Sequence, residues 1–133
     1  MRIDFAERAR ALVGTRFRPQ GRDPRLGMDC VGLVLATFDL PGDRYRCDYR
    51  LRGHHEGELL QALSGPFRGI PASRTRTGDV LVLRVAADQP HLAVLTDQGF
   101  VHADARLGKV VETPGAPAWP IIAAYRRRAR GGA

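Results

Sequence analysis

The sequence of 133 residues has only two cysteines, Cys30 and Cys47, and no long apolar run. Two cysteines in a chain of this length do not make a disulfide framework, and neither has the neighbours of a zinc site. The N-terminal residues MRIDFAE lack the apolar segment of a signal peptide, and no stretch is long enough to cross a membrane. We therefore expect a protein made in the cytoplasm without a membrane span, which another assembly must carry if it acts outside the cell.

Lysine is nearly absent too: Lys109 is the only lysine among 21 basic residues. The formal net charge of +7 favours contact with polyanions, although arginine enrichment can also reflect a GC-rich genome. The arginines are scattered, and the aromatic residues do not interleave with them as a base-stacking platform requires. Nucleic acid is thus not an expected partner, and a nucleic-acid binder stays open only as an alternative.

Helical and strand patterns are present in two successive blocks of one domain. Residues 4–13 and 29–38 are predicted helices, each preceded or opened by an aspartate that can cap it. After Gly78, five short β-rich segments are separated by turn residues. Helices followed by an antiparallel sheet predict an α+β fold, with one domain at 1–126 and a basic tail at 127–133.

Finer predictions concern the helical faces and the connections between the helices. The residues expected to face the core are Phe5, Ala9, Leu12, Val13, Leu33, Val34 and Phe38. The stretch 15–28 is predicted to be irregular, and a short third helix is predicted around 56–63.

The first group that carries chemistry is Asp29-Cys30, at the start of the second predicted helix. Asp29 is a good N-cap, so Cys30 falls in the first turn, where free N–H groups and the helix dipole favour negative charge. This position predicts a lowered thiol pKa, and the same N–H groups can stabilise an oxyanion. Gly32 would let a substrate approach the backbone closely. The alternative is that Cys30 is simply a small buried residue at a helix start.

Two histidines, His91 and His102, lie in consecutive predicted strands. A hairpin with a two-residue loop pairs residues whose numbers add to an odd value, as 91 and 102 do. Both side chains then lie on one face, opposite or diagonal, roughly 5 to 8 Å apart between Cβ atoms. A histidine bonded to a second polar group is held in the tautomer that a general base needs. Ordinary sheet histidines, or a metal site without a convincing third ligand, are the alternatives.

Five motifs resemble, in order, those of the NlpC family of bacterial cell-wall peptidases. They are GTRFRPQG at 14–21, DCVGLV at 29–34, TGDVLVL at 77–83, HLAVL at 91–95 and FVHAD at 100–104. The first resembles the family's glycine-aromatic approach segment, the second its helix start, and the others its strand entry and two histidine strands. The resemblance spans roughly residues 5–126.

The resemblance implies a papain-like α+β fold, with N-terminal helices packed on a C-terminal antiparallel sheet. It implies a cysteine peptidase in which Cys30 is the nucleophile, His91 the general base and His102 the orienting third residue. The implied substrate is the peptidoglycan stem peptide, typically cleaved between D-γ-glutamate and diaminopimelate. No cofactor and no metal is expected.

Two positions depart from the family pattern. A serine often follows the catalytic cysteine and, with the preceding aspartate, helps to hold the free amine of the substrate; here Val31 accompanies Asp29. A tyrosine often ends the approach segment with its hydroxyl facing the site; here that residue is Phe17. The resemblance thus places these three residues at the substrate, and the two departures affect the expected substrate preference and activity.

An apolar residue after Asp-Cys resembles the branch of the family encoded with phage tails and gene-transfer particles. This predicts tail proteins as partners and delivery to the cell wall in a phage-like tail. Two alternatives stay open. One is a weakly active or inactive structural tail component or wall-binding module of the same fold; the other is a cytoplasmic amidase acting on recycled wall peptides or another γ-glutamyl substrate.

Overall fold

The computed structural model describes residues 3–40, 60–61, 63–86 and 89–128. Cys47 and most of the predicted helix at 56–63 lie outside the described residues. Within these ranges, no helix has the length and apolar character needed to cross a membrane.

Helices precede most of the strands, as the sequence predicts. The elements are α1 (Phe5–Arg10), β1 (Arg22–Asp23), β2 (Gly27–Met28), α2 (Cys30–Thr37), β3 (Phe67–Ile70), a 3-10 turn (Ala72–Arg74), β4 (Val80–Ala86), β5 (Gln89–Leu95), β6 (Gly99–Asp104), β7 (Lys109–Pro114) and β8 (Ile121–Arg127). The expected α+β class is therefore confirmed.

The main sheet has six strands in the order β3-β8-β4-β5-β6-β7, and its paired neighbours are antiparallel. A separate ribbon pairs β1 with β2, inside the stretch predicted to be irregular. Each of these two strands has only two residues, too few for the alternation of side chains that marks a strand in a sequence. The ribbon and β3 are the parts of the fold that the sequence patterns missed.

Helix α1 begins as predicted but ends earlier. The Asp4 carboxylate accepts the Glu7 N–H at 3.1 Å, whereas the helix stops at Arg10 because residues 11–14 form a turn that closes at Gly14, with φ of 96°. Val13 is consequently 45% exposed, so its predicted place in the core is wrong.

Helix α2 is buried between α1 and the main sheet, and it sets the position of the site. Leu33, Val34 and Phe38 lie in the core as predicted. The Phe38 ring contacts Phe5 and Phe67 at centroid distances of 4.5 and 4.9 Å, which ties the end of α2 to α1 and to the sheet edge. The start of α2 lies against β5 and β6, the strands of the two histidines.

The first residues of the predicted basic tail are bonded to the sheet edge. Arg127 belongs to β8, where it pairs with Phe67, and the Arg128 N–H donates to Pro66 O at 3.0 Å. The Arg126 guanidinium holds the buried Asp79 carboxylate through two contacts of 2.9 Å. These arginines are ordered because the sheet edge and a buried carboxylate supply partners that a charge run alone does not reveal.

Candidate active site

Cys30 is the first residue of α2, and its half-buried side chain lies where the helix meets β5. The Asp29 carboxylate accepts the Gly32 N–H at 2.9 Å, which is the cap predicted from the sequence. The backbone N–H groups of Leu92 and Val31 donate to the Cys30 sulfur. Because Leu92 follows His91, this contact fixes the sulfur against the start of the histidine strand.

The predicted lowering of the Cys30 pKa is wrong. Burial, and next the charge of Asp29, raise the pKa of Cys30 to about 12, and the two N–H donors and Arg22 offset only part of this effect. The helix start supplies the expected donors, but it also brings the cap's own negative charge close to the sulfur. Cys30 is therefore a neutral thiol at neutral pH.

The two histidines meet as the strand parity predicts. In the β5–β6 hairpin Val94 pairs with Val101, and the turn at 97–98 is closed by the Thr96 N–H donating to Gly99 O at 2.8 Å. His91 and His102 are thus diagonal neighbours on one face. Their rings are nearly perpendicular, at 87°, and His91 Nε2 lies 2.9 Å from His102 Nδ1.

The second nitrogen of His102 extends this contact into a chain of polar groups. His102 Nε2 lies 3.3 Å from Thr113 Oγ1, on the neighbouring strand β7. Two arrangements of protons satisfy both contacts, and a general base requires the one in which His91 donates from Nε2 to His102 and His102 donates from Nε2 to Thr113. It leaves the lone pair of His91 Nδ1 available to accept a proton.

Burial keeps both imidazoles neutral. It lowers the pKa of His91 to about 4, assisted by the neighbouring His102, while Asp104 acts in the opposite direction. Burial also lowers the pKa of His102. The site at neutral pH therefore pairs a thiol with a neutral imidazole instead of an ion pair.

These groups open into one cavity of about 270 Å³. Its lining residues are Phe17, Asp29, Cys30, Val85, Gln89, Pro90, His91, His102, Ala103, Asp104, Ala105, Arg106 and Trp119. The structure thus brings together five of the six residues that the sequence analysis placed at the site. The exception is Val31, which is 5% exposed, packs in the core and does not line the cavity, an arrangement that does not favour its predicted contact with substrate.

Asp29 is present in the cavity wall, but its carboxylate is already occupied. It is 2% exposed and accepts from the Gly32 N–H, the Gln20 N–H and Arg22 Nη1, each at 2.9 Å. The guanidinium of Arg22 neutralises the charge that would attract a substrate amine. The amine-holding role that the resemblance implies for Asp29 is not favoured by this arrangement.

Gly32 serves the fold and not the approach of a substrate. A Cβ at this position would lie 2.2 Å from Gly21 O and 2.9 Å from Met28 Cβ. Glycine is therefore required because the β1–β2 ribbon packs directly on the first turn of α2, which corrects the role predicted for it.

Three residues of the site carry no motif that marks them in the sequence. Thr113 becomes part of the polar chain only through the β6–β7 pairing. The Trp119 ring lies near both histidines, with centroid distances of 6.0 and 5.9 Å. Arg22 reaches Asp29 through the ribbon that the sequence patterns missed. In the described part of the chain, no group of three or more His, Cys, Asp or Glu side chains is placed to hold a metal ion.

No protein-family model and no curated protein matches this sequence. Solved structures do match. The NlpC/p60 domain of the peptidoglycan hydrolase SagA gives a TM-score of 0.58 at 19% identity, over 84% of this chain and 86% of that one. The peptidoglycan hydrolase RipB of Mycobacterium tuberculosis gives 0.59 at 21% identity, over 92% of this chain and 62% of that one.

A third match is a Staphylococcus aureus Mu50 protein described as similar to lipoprotein, NLP/P60 family. It gives a TM-score of 0.60 at 18% identity, over 96% of this chain and 41% of that one. The chain has the NlpC/p60 fold. This confirms the fold expected from the five motifs.

Proposed function

We propose that this NlpC/p60 domain is a cysteine peptidase acting on peptidoglycan stem peptides. Cys30 is the nucleophile, His91 the general base and His102 the residue that orients it. The observation that carries the proposal is the 2.9 Å contact between His91 and His102, in the same cavity as a capped Cys30. Two of the matched structures are peptidoglycan hydrolases, which supports the choice of substrate.

The polar chain explains how a neutral site can work. His91 Nδ1 takes the thiol proton as the sulfur attacks the scissile carbonyl, and the positive charge that develops on His91 is stabilised through Nε2 by His102. The imidazolium then gives its proton to the leaving amine. Water, activated by the same nitrogen, hydrolyses the thioester and restores the thiol.

The oxyanion formed in each step needs a hydrogen-bond donor beside Cys30. Asp29 occupies the Gly32 N–H, and the sulfur receives the Val31 N–H. The Cys30 N–H is therefore the first-turn donor that we assign to the oxyanion.

The finer parts of the proposal rest on the resemblance. The bond is proposed to be the amide between D-γ-glutamate and diaminopimelate, as in the family whose motifs the chain carries. Incorporation in a phage-like tail, after synthesis in the cytoplasm, is proposed because Val31 follows Asp-Cys as in the tail-associated branch. The burial of Val31 in the core gives that apolar residue a packing role as well.

A structural tail component or wall-binding module of the same fold is the second candidate. The raised pKa of Cys30 and the lowered pKa of His91 favour it, because both disfavour the reactive thiolate–imidazolium pair. In that case the wall would be bound without being cut.

The deciding experiment incubates purified sacculi with wild-type protein, with Cys30→Ala and with Cys47→Ala, and identifies released muropeptides by mass spectrometry. The proposal predicts products from the wild type and from Cys47→Ala, and a loss of at least about 10³-fold in Cys30→Ala. Product masses identify the bond. Folded proteins that bind sacculi of several chemistries and release nothing would instead establish the structural role.

A further inference from the structure

Arg22 of β1 uses only one side of its guanidinium. Nη1 donates to Asp29 Oδ1 at 2.9 Å and to Gly21 O at 3.0 Å. Nε and Nη2 are buried and have no hydrogen-bond partner in the part of the chain that the structure describes. The side chain as a whole is 11% exposed, so bulk water does not readily satisfy these two donors.

The two unused nitrogens form one recognition edge. The N–H bonds of Nε and Nη2 point the same way, in the fork that matches the two oxygens of a carboxylate. Buried donors without acceptors are unfavourable, and a charged group raises that cost. An arginine held with this edge unused is therefore prepared for an anion with two oxygens.

Arg22 is linked to the catalytic cavity through its partner Asp29, which lines that cavity. Arg22 lines a second cavity of about 640 Å³, formed by residues 18–24, 26 and 27. Phe17 lines the catalytic cavity and Arg18 the second one, so the two are adjacent along the chain. The carboxylate of Asp23, the acidic residue of the second cavity, lies 3.5 Å from Arg25. The second cavity therefore adjoins the catalytic cavity along the chain, and its charged lining residues are Arg18, Arg22 and Asp23.

We propose that the Nε–Nη2 edge of Arg22 binds a carboxylate of the substrate and makes Arg22 a specificity-determining residue. This inference rests on the proposed function, because a γ-linked glutamate keeps its α-carboxylate free beside the scissile amide. Arg22 then holds Asp29 with one nitrogen and the substrate with the other two. A stem peptide whose α-carboxylate is converted to an amide loses this contact.

The test compares two synthetic γ-D-glutamyl peptides that differ only in an α-carboxylate or an α-carboxamide. Their affinities for Cys30→Ala are measured by calorimetry, so that binding is read without cleavage. The carboxylate is expected to bind about 10- to 100-fold more tightly than the amide. Adding Arg22→Gln should abolish this ratio, and Arg22→Lys, which keeps the charge but not the fork, should reduce it.

Arg25→Gln is the matched control, since it removes one positive charge from the same ribbon at a side chain that is 89% exposed. It should leave the ratio unchanged. A purely structural role of Arg22 would weaken both peptides equally, and equal affinities in Cys30→Ala, or no binding of either peptide, would overturn the inference. If Arg22→Gln does not fold, the Arg22 Nε–H resonance must shift with the carboxylate peptide and not with the amide.

Failure of the inference is separable from failure of the proposed function. A carboxylate preference in Cys30→Ala, combined with no cleavage of either peptide by the wild type, would support the anion site and contradict the proposed peptidase activity. Cleavage of both peptides at equal kcat/KM would support the peptidase activity and contradict the anion site.

Discussion

The two walls of the catalytic cavity are built in different ways. The histidine wall consists of β5, β6 and β7, where His91 is paired with Leu83 of β4 and His102 with Val111 of β7. The cysteine wall is the first turn of α2 packed on a ribbon of two-residue strands. Strand pairing on both sides positions the two histidines, whereas Cys30 depends on a few individual contacts. Substitutions in the strands of the histidine wall should therefore displace the imidazoles less than substitutions in the ribbon displace the Cys30 sulfur.

The walls also differ in how they handle charge. The histidine wall is a chain of groups that are neutral at rest, His91, His102 and Thr113. The cysteine wall contains a buried ion pair, with Arg22 at 2.9 Å from Asp29. Leaving either charge of such a pair unpaired costs more than losing a neutral hydrogen bond. The histidine wall is thus a neutral proton acceptor at rest, whereas the cysteine wall keeps a fixed pair of charges.

The largest expected effect comes from removing the proposed general base, His91, from the histidine wall. His91→Gln should reduce kcat for stem-peptide cleavage by about 10³-fold, because the side chain keeps a polar group but cannot take the thiol proton. Thr113→Val, which removes only the far end of the polar chain, is the matched control and should cost no more than about tenfold. Steady-state kinetics on a defined peptide measures both. Activity of His91→Gln within tenfold of the wild type would assign the base elsewhere.

Acid sensitivity of folding should be the next largest effect. The pKa of His91 falls from 6.5 to about 4 on folding, so the unfolded chain binds the proton first as the pH decreases. Stability is therefore lost from pH 6.5 down to about 4, by on the order of 3 kcal/mol. Urea unfolding at pH 7 and pH 4 should show this loss in the wild type and a smaller one in His91→Gln. Equal losses in the two proteins would contradict the burial of a neutral His91.

The smallest expected effects come from replacing one glycine of each wall by alanine. A Cβ at Gly32 would lie 2.2 Å from Gly21 O, and a Cβ at Gly99 would lie 1.9 Å from Thr113 O. Each alanine variant should lower the free energy of unfolding by about 1–3 kcal/mol. Gly99→Ala should cost more, because a strand paired along its length cannot shift as easily as the ribbon. Urea unfolding measures both.

Gly69→Ala is the control for these two variants, since its Cβ would make only an ordinary contact of 3.9 Å with Tyr125. It should change stability by less than about 0.5 kcal/mol. A smaller loss in Gly99→Ala than in Gly32→Ala would reverse the ranking of the two walls.

Sequence patterns predicted the histidine wall better than the cysteine wall, and the reason is periodicity. Side chains alternate strictly along a strand, so the numbers 91 and 102 with a two-residue turn suffice to place both histidines on one face. The cap at Asp29 was also predictable, because its side-chain oxygen bonds a nearby N–H of the same helix. The pKa of Cys30 was not predictable, because burial depends on which strand covers the sulfur.

The sequence by itself determined the α+β class, the cap of α2, the shared face of His91 and His102, and the family resemblance, because these depend on local spacing. Only the tertiary structure decided the contact of Thr113 with His102, the burial of Val31 and the ion pair that occupies Asp29. The two contacts join residues that other parts of the chain separate, and the burial of Val31 places its side chain in the core. Such contacts are set by how the β1–β2 ribbon and β7 pack, and no local pattern encodes that packing.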